Sequence, residues 1–148
     1  MKNILTKWEQ FLKEEVSYSG ILKISLTPEN IAEVEALQAM LPEEAVRIAP
    51  DDLHVTLIHQ SLLQPFKENL KQLELPAAPP INLDDEVWER SSMGKKSWAV
   101  RLRNQNDMRE YVREIMDLLG SGNTNPEPER VFHVSVANLT GNPKDSVR

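Results

Sequence analysis

The chain has no cysteine, three histidines and five glycines, and aromatic residues make up only 5% of it. Without cysteine there can be neither disulfides nor thiolate-bound metal, a composition that suits a reducing cytoplasm. No apolar run approaches the roughly 20 residues that span a bilayer, so no membrane partner is expected. The first residues, Met1 to Trp8, lack the long apolar segment of a secretory signal. Positive charge is scarce as well. Lys and Arg number 17 against 23 Asp and Glu, a net charge of −6. That balance argues against duplex nucleic acid as a partner, because such binding leaves a basic footprint. Nothing indicates an obligate protein partner. The balance does not exclude a small anionic ligand held in a locally polar cleft, and an ordinary globular protein fits the composition equally well.

The remaining composition is that of an ordinary globular protein: 148 residues, 40% hydrophobic and 27% charged. One domain of this length can bury a real core. Ile4, Leu5, Trp8, Phe11 and Leu12 form a helical stripe over residues 3–15. The stretch from Ser17 to Leu26 then reads as one half-buried strand, with Leu22, Ile24 and Leu26 alternating with Lys23 and Ser25. Thr27-Pro28 supplies a cap and a proline at the first helical position, and Ile31, Val34, Leu37 and Leu41 predict a helix ending near Pro42. After a loop through Pro50-Asp51-Asp52 comes a strand starting near Leu53. Leu62, Leu63, Phe66 and Leu70 then give a helix, or a helix broken at Pro65.

Pro76-Ala77-Ala78-Pro79-Pro80 is a stiff connector, and a lobe boundary is expected over 76–80. Residues 86–91 and 97–103 read as two strands around a turn at Met93-Gly94. A helix follows from about Asn106 to Leu119, stopped by Gly120. A polar loop from Ser121 to Pro128, a last strand and an irregular tail from Thr140 to Asp145 complete the chain. Strand, helix, strand is thus followed by hairpin, helix, strand, a weak two-fold repeat. The fold class expected is α+β, as a single domain of two related lobes.

Two stretches carry the chemistry. Leu53-His54-Val55-Thr56-Leu57 and Phe132-His133-Val134-Ser135-Val136 share one formula: apolar, His, Val, hydroxyl, apolar. On a strand, alternate side chains share a face, so each stretch offers an imidazole and a hydroxyl to one side and anchors in a core on the other. Ser and Thr together are about a tenth of the chain, so one such match means little, whereas two of three histidines matching is a signal. By the same parity His59 falls opposite His54 and is read as non-catalytic. Lys23, Lys95, Lys96 and Arg101 are read as solvated charges.

Cleaving a ribose phosphodiester through its neighbouring 2′-hydroxyl needs one group to accept a proton and another to supply one to the leaving oxygen. Imidazole titrates nearest neutrality, so two histidines can divide these roles. The hydroxyls of Thr56 and Ser135 can donate to non-bridging phosphate oxygens, where negative charge builds. This scheme requires no metal or other cofactor.

The two tetrapeptides resemble the His-x-Thr/Ser-x pair of the 2H phosphoesterase superfamily, which includes RNA 2′,3′-cyclic phosphodiesterases and so-called 2′-5′ RNA ligases. The order of elements is similar too. The short chain, with its Tyr18-Ser19-Gly20 segment and its Ala137-to-Pro143 tail, is more similar to small phage members, among them anti-CBASS nucleases that degrade cyclic di- and trinucleotide signals. The resemblance implies a bilobal fold with both motifs in a central cleft, catalysis by His54 and His133, and phosphate contacts from Thr56 and Ser135. It also points to base contacts from Tyr18 and from a tryptophan, Trp98 or Trp88. The expected partner is a cyclic oligonucleotide or a cyclic-phosphate RNA end. Two other readings compete: a module that sequesters nucleotides without turnover, and a histidine-based metal site. The second is weakened because no third ligand stands at a sensible spacing from either motif.

Overall fold

In a computed structural model, residues 15–147 are described. The helix expected over 3–15 therefore lies outside the described residues, except that Glu15 opens the first strand. The expected single strand from Ser17 to Leu26 is instead a hairpin. β1 (Glu15–Tyr18) turns at Ser19–Ile21 into β2 (Leu22–Ser25). Gly20, at φ +93°, makes that reversal where a side chain would be strained.

Thr27 caps α1 (Pro28–Gln38) as expected, its hydroxyl accepting from the Asn30 amide at 3.2 Å. The helix stops four residues short of Pro42, and a short β3 (Val46–Arg47) follows that the hydropathy pattern does not announce. β4 (His54–Ile58) comes next. The apolar run after it is broken at Pro65 into α2 (Gln60–Leu63), a 3-10 turn and α3 (Lys67–Gln72). Beyond the proline-rich connector, β5 (Leu83–Ser92) and β6 (Lys95–Leu102) form a long hairpin. Met93 and Gly94 both have positive φ (50° and 79°), as a type I′ turn requires. α4 (Gln105–Leu118) and β7 (His133–Asn138) close the series.

All seven strands lie in one antiparallel sheet of order β1-β2-β4-β7-β6-β5, with β3 alongside the distal half of β7. Taken inward from either edge, that order is the same: a hairpin, then a histidine strand. The order of elements in the two halves, β1-β2-α1-β4 and β5-β6-α4-β7, is thus alike, and the two histidine strands are paired at the centre. The α+β class stands. The two halves join in a continuous sheet, with α1 touching β5 and β7 and α4 touching β4.

One face of the sheet holds the core. Val55, Leu57, Val100, Val134 and Val136 are buried there against Val34 of α1 and Met108 and Ile115 of α4. Burying side chains of this size stabilises by about 1.5–3 kcal/mol each. Buried polar side chains tie loops to this core. Gln38 donates to the carbonyls of Ile48 and Val136, clasping β3 to β7. Asn138 organises the tail: its Oδ1 accepts from the Thr140 and Gly141 amides and its Nδ2 donates to Asn142 O and Ser146 Oγ. The tail is thus an ordered loop with a 3-10 turn at Pro143–Asp145, anchored again where the Val147 amide donates to Ser97 Oγ. Gly141, at φ +82°, has no room for a side chain, since a Cβ would come within 2.9 Å of Val46. No helix among the described residues is long and apolar enough to cross a membrane.

Candidate active site

The opposite face of the sheet carries a cleft of about 1020 Å³, and His54, Thr56, His133 and Ser135 all line it. Strand pairing explains how. Val55 and Val134 are cross-strand partners in the antiparallel β4–β7 pair. Counting outward from that pair, His54 falls across from Ser135, and His133 across from Thr56. In regular antiparallel geometry direct partners have Cβ atoms about 4.5–5.5 Å apart, and diagonal neighbours about 7–8 Å. Each imidazole therefore has the other strand's hydroxyl beside it and the other imidazole on the diagonal.

Both histidines are held in the same way. His54 Nδ1 lies 2.8 Å from the carbonyl of Asp52, and His133 Nδ1 lies 3.0 Å from the carbonyl of Val131. A carbonyl only accepts, so each Nδ1 must carry the proton. That fixes the neutral tautomer and leaves Nε2 as the base on both rings. The bond runs to the residue two positions earlier in each case, so the likeness extends to tautomer control.

Burial lowers both imidazoles below the ordinary histidine value, and the surrounding charges differ. At His54 the Asp52 carbonyl and carboxylate oppose the shift, while Lys23 adds to it. At His133 the Val131 carbonyl opposes it, while Arg90, Arg130 and His54 all add to it. The imidazolium is thus disfavoured by two guanidinium groups at His133, and by Lys23 at His54, where the Asp52 carboxylate offsets part of that effect.

Arg130 deserves its place for geometric reasons too. Its Nη2 donates to the Thr56 carbonyl at 2.9 Å, its Nη1 pairs with Glu127 at 3.0 Å, and its guanidinium lies 5.7 Å from the Phe132 ring. It therefore pins the loop before β7 onto β4, next to both motifs. Gln105 does similar work from α4, donating to the Leu102 and Phe132 carbonyls and accepting from the Phe132 amide.

Of the residues expected to contact bases, Tyr18 and Trp98 are not brought to this site. Tyr18 is paired with Leu22 and packs against the core, so its ring is on the wrong face. Trp98 is 2% exposed and belongs to the core, in line with its alternation with Val100 and Leu102. Trp88 lines the cleft instead. His59 also lines it, against the parity argument, because β4 ends at Ile58 and the alternation ends with it. Lys96 is bound to Glu44 at 2.7 Å and Glu89 at 3.1 Å, and Arg101 stacks on Trp88 at 3.8 Å, so neither is a freely solvated charge. Arg90, Arg130, Asp52 and the tail residues Lys144 and Ser146 were not singled out by the sequence. Arg90 shares strand parity with Trp88, which could have found it. Arg130 and the tail lie in irregular segments, which carry no periodic signal.

Among the described residues, no group of three or more His, Asp or Glu side chains converges as a metal-binding set. The chain matches no protein-family model, and no curated protein is similar to it at a significant level.

Proposed function

We propose that the protein is a 2H-type phosphodiesterase that cleaves cyclic di- or trinucleotides by attack of a ribose 2′-hydroxyl, in a bilobal arrangement with one histidine motif from each half. The observation that carries this reading is the matched pair of imidazoles, each held by its Nδ1 and offering Nε2 to one cleft. A binder without turnover has no use for two proton-transfer groups poised alike.

Of the two rings only His54 has a carboxylate beside it, Asp52, next to Lys23, and the roles are assigned on that difference. His133, beside Arg90 and Arg130, is the neutral base that takes the proton from the 2′-hydroxyl. The 2′-oxygen attacks phosphorus, the bond from phosphorus to the 5′-oxygen breaks, and His54, beside Asp52, gives its proton to that oxygen. Thr56 and Ser135 donate to the non-bridging oxygens as charge accumulates. The immediate product carries a 2′,3′-cyclic phosphate and a free 5′-hydroxyl. A cleft of about 1020 Å³ is at the upper end of the range for small-molecule sites, about 300–1,000 Å³, and accommodates more than one nucleotide.

The test is incubation with cyclic dinucleotides, cyclic trinucleotides and cyclic-phosphate-ended RNA, with and without chelator, followed by product mass. Linearisation of a cyclic oligonucleotide, undiminished by chelator, is expected. Turnover of the RNA end alone would move the assignment to an RNA cyclic phosphodiesterase. Tight binding with no product would leave a sequestering module.

The pH profile follows from the same groups. The base must be neutral and the acid protonated, and both pKa values are lowered in the free protein. The bell in kcat/KM, which reports free protein, is therefore centred below pH 6.5 and falls as pH rises above the acid's pKa. A bound phosphodiester anion favours imidazolium, so the kcat profile is displaced to higher pH. A kcat/KM that stays flat from pH 7 to 9 would contradict this assignment.

A further inference from the structure

We infer that Gln105, supported by Arg109 one turn further along α4, is the positioning residue of His133 and decides which nitrogen of that ring faces the cleft. Its consequence for turnover rests on the proposed reaction; the geometry does not. The two histidines, otherwise alike, differ in how their partner carbonyls are held. Each donates from Nδ1 to the carbonyl two residues earlier, so the tautomer is only as fixed as the peptide unit that carries that carbonyl. A peptide unit is planar and trans, so holding its N–H on one side fixes the direction of its C=O on the other.

At His54 that unit joins Asp52 to Leu53, and the Leu53 amide donates to the Pro50 carbonyl at 3.2 Å. The Asp52 amide donates to the Ala49 carbonyl at 2.9 Å, so the 3-10 turn Pro50–Asp52 holds the unit through backbone bonds. At His133 the unit joins Val131 to Phe132, and no 3-10 helix, α-helix or strand lies between α4 and β7 to do the same. Here the Phe132 amide donates to Gln105 Oε1 at 2.7 Å. The preceding unit, from Arg130 to Val131, is held by its carbonyl, which accepts from Arg109 Nη2 at 3.1 Å.

Gln105 and Arg109 are four residues apart on α4 and so share a helix face. Side chains of that face thus take the part that backbone bonds take at His54. Gln105 is itself fixed. Its Nε2 donates to the Leu102 carbonyl at 2.7 Å and to the Phe132 carbonyl at 2.8 Å, which leaves Oε1 as the amide atom that can accept from the Phe132 N–H. The Val131 side chain is 40% exposed and lines the cleft, so its own packing does little to hold the carbonyl. Without Gln105 that carbonyl can turn, and His133 loses its preference for a proton on Nδ1. In the other neutral form Nε2 carries the proton, and the ring offers the cleft a donor where the proposed reaction needs a base.

The test reads the ring rather than turnover. Nitrogen-15 NMR of histidine-labelled protein at about pH 8, where burial keeps both rings neutral, reports the ratio of Nδ1–H to Nε2–H for each ring. His54→Ala and His133→Ala assign the signals. Wild type is expected to hold both rings in the Nδ1–H form. Gln105→Met keeps the length of the side chain and gives up its amide hydrogen bonds. It should lower the ratio at His133 about fivefold, the effect of one ordinary hydrogen bond, and leave His54 as it was. Arg109→Met should lower it less, and Arg109→Lys, which restores a donor for the Arg130 carbonyl, should recover it. An unchanged His133 in Gln105→Met, or an equal change at both histidines, overturns the inference. If Gln105→Met does not fold, the two Arg109 variants decide by the same criterion. Should the ratio at His133 fall while cleavage of a cyclic dinucleotide keeps its rate, Gln105 retains its role and the proposed part of His133 in the reaction is overturned.

Discussion

Replacement of His54 or His133 by alanine is expected to lower turnover of a cyclic ribonucleotide by about 10²–10⁴-fold, the usual contribution of one positioned proton-transfer group. At 1.36 kcal/mol per tenfold, that is about 3–5.5 kcal/mol of barrier for each residue. The double variant should lose much less than the product of the two, because a base without its acid already fails at the same step. The fold should survive, since both rings are half-buried on the cleft face and only one bond, to a backbone carbonyl, is lost in each case. Single-turnover rates, with circular dichroism as a check on folding, decide the matter. A single variant that keeps more than a tenth of wild-type rate would remove that histidine from the mechanism.

The second large effect is expected at the hydroxyls. Thr56→Val keeps the branched shape and Ser135→Ala leaves the strand intact, so each isolates one donor. Loss of a donor to developing oxyanion charge costs about 10²–10³ in kcat. Because Ser135 falls across from His54 and Thr56 across from His133, on the proposed reading both hydroxyls would reach the same phosphate, and the pair should be less than additive. The diagnostic is which constant moves. A fall in kcat with little change in KM marks contacts made in the transition state. A rise in KM alone would mean that the hydroxyls only hold the substrate.

The elements of the site that lie on strands were legible in the sequence, because a period of two fixes which residues share a face. His54 with Thr56, and His133 with Ser135, needed nothing more. The fusion of the two motifs into one site needed the pairing of β4 with β7, which only the repeat of elements hinted at. Where the alternation stops, inference stopped with it. His59, one residue past the end of β4, was assigned to the wrong face. Tyr18 was read as part of one long strand, but the turn at Gly20 makes it half of a hairpin whose register sends it to the core.

The pattern on β6 already placed Trp98 with Val100 and Leu102, and their burial at 0–2% exposure follows that pattern. The resemblance pointed to a tryptophan, and Trp88 is the one that reaches the cleft. Arg130 and the tail could not have been found by periodicity at all. Their positions are set by single long-range bonds, Arg130 to Thr56 across 74 residues and Val147 to Ser97 across 50. Such bonds leave no trace in local composition.

The most direct measurement compares turnover of a cyclic diribonucleotide with that of its 2′-deoxy counterpart under identical conditions. If the two histidines act through a neighbouring 2′-hydroxyl, the ribonucleotide is linearised to a product with a 2′,3′-cyclic phosphate end, and the deoxy compound binds but is not cleaved. Cleavage of the deoxy compound at a comparable rate would show that the nucleophile comes from elsewhere and would contradict the account.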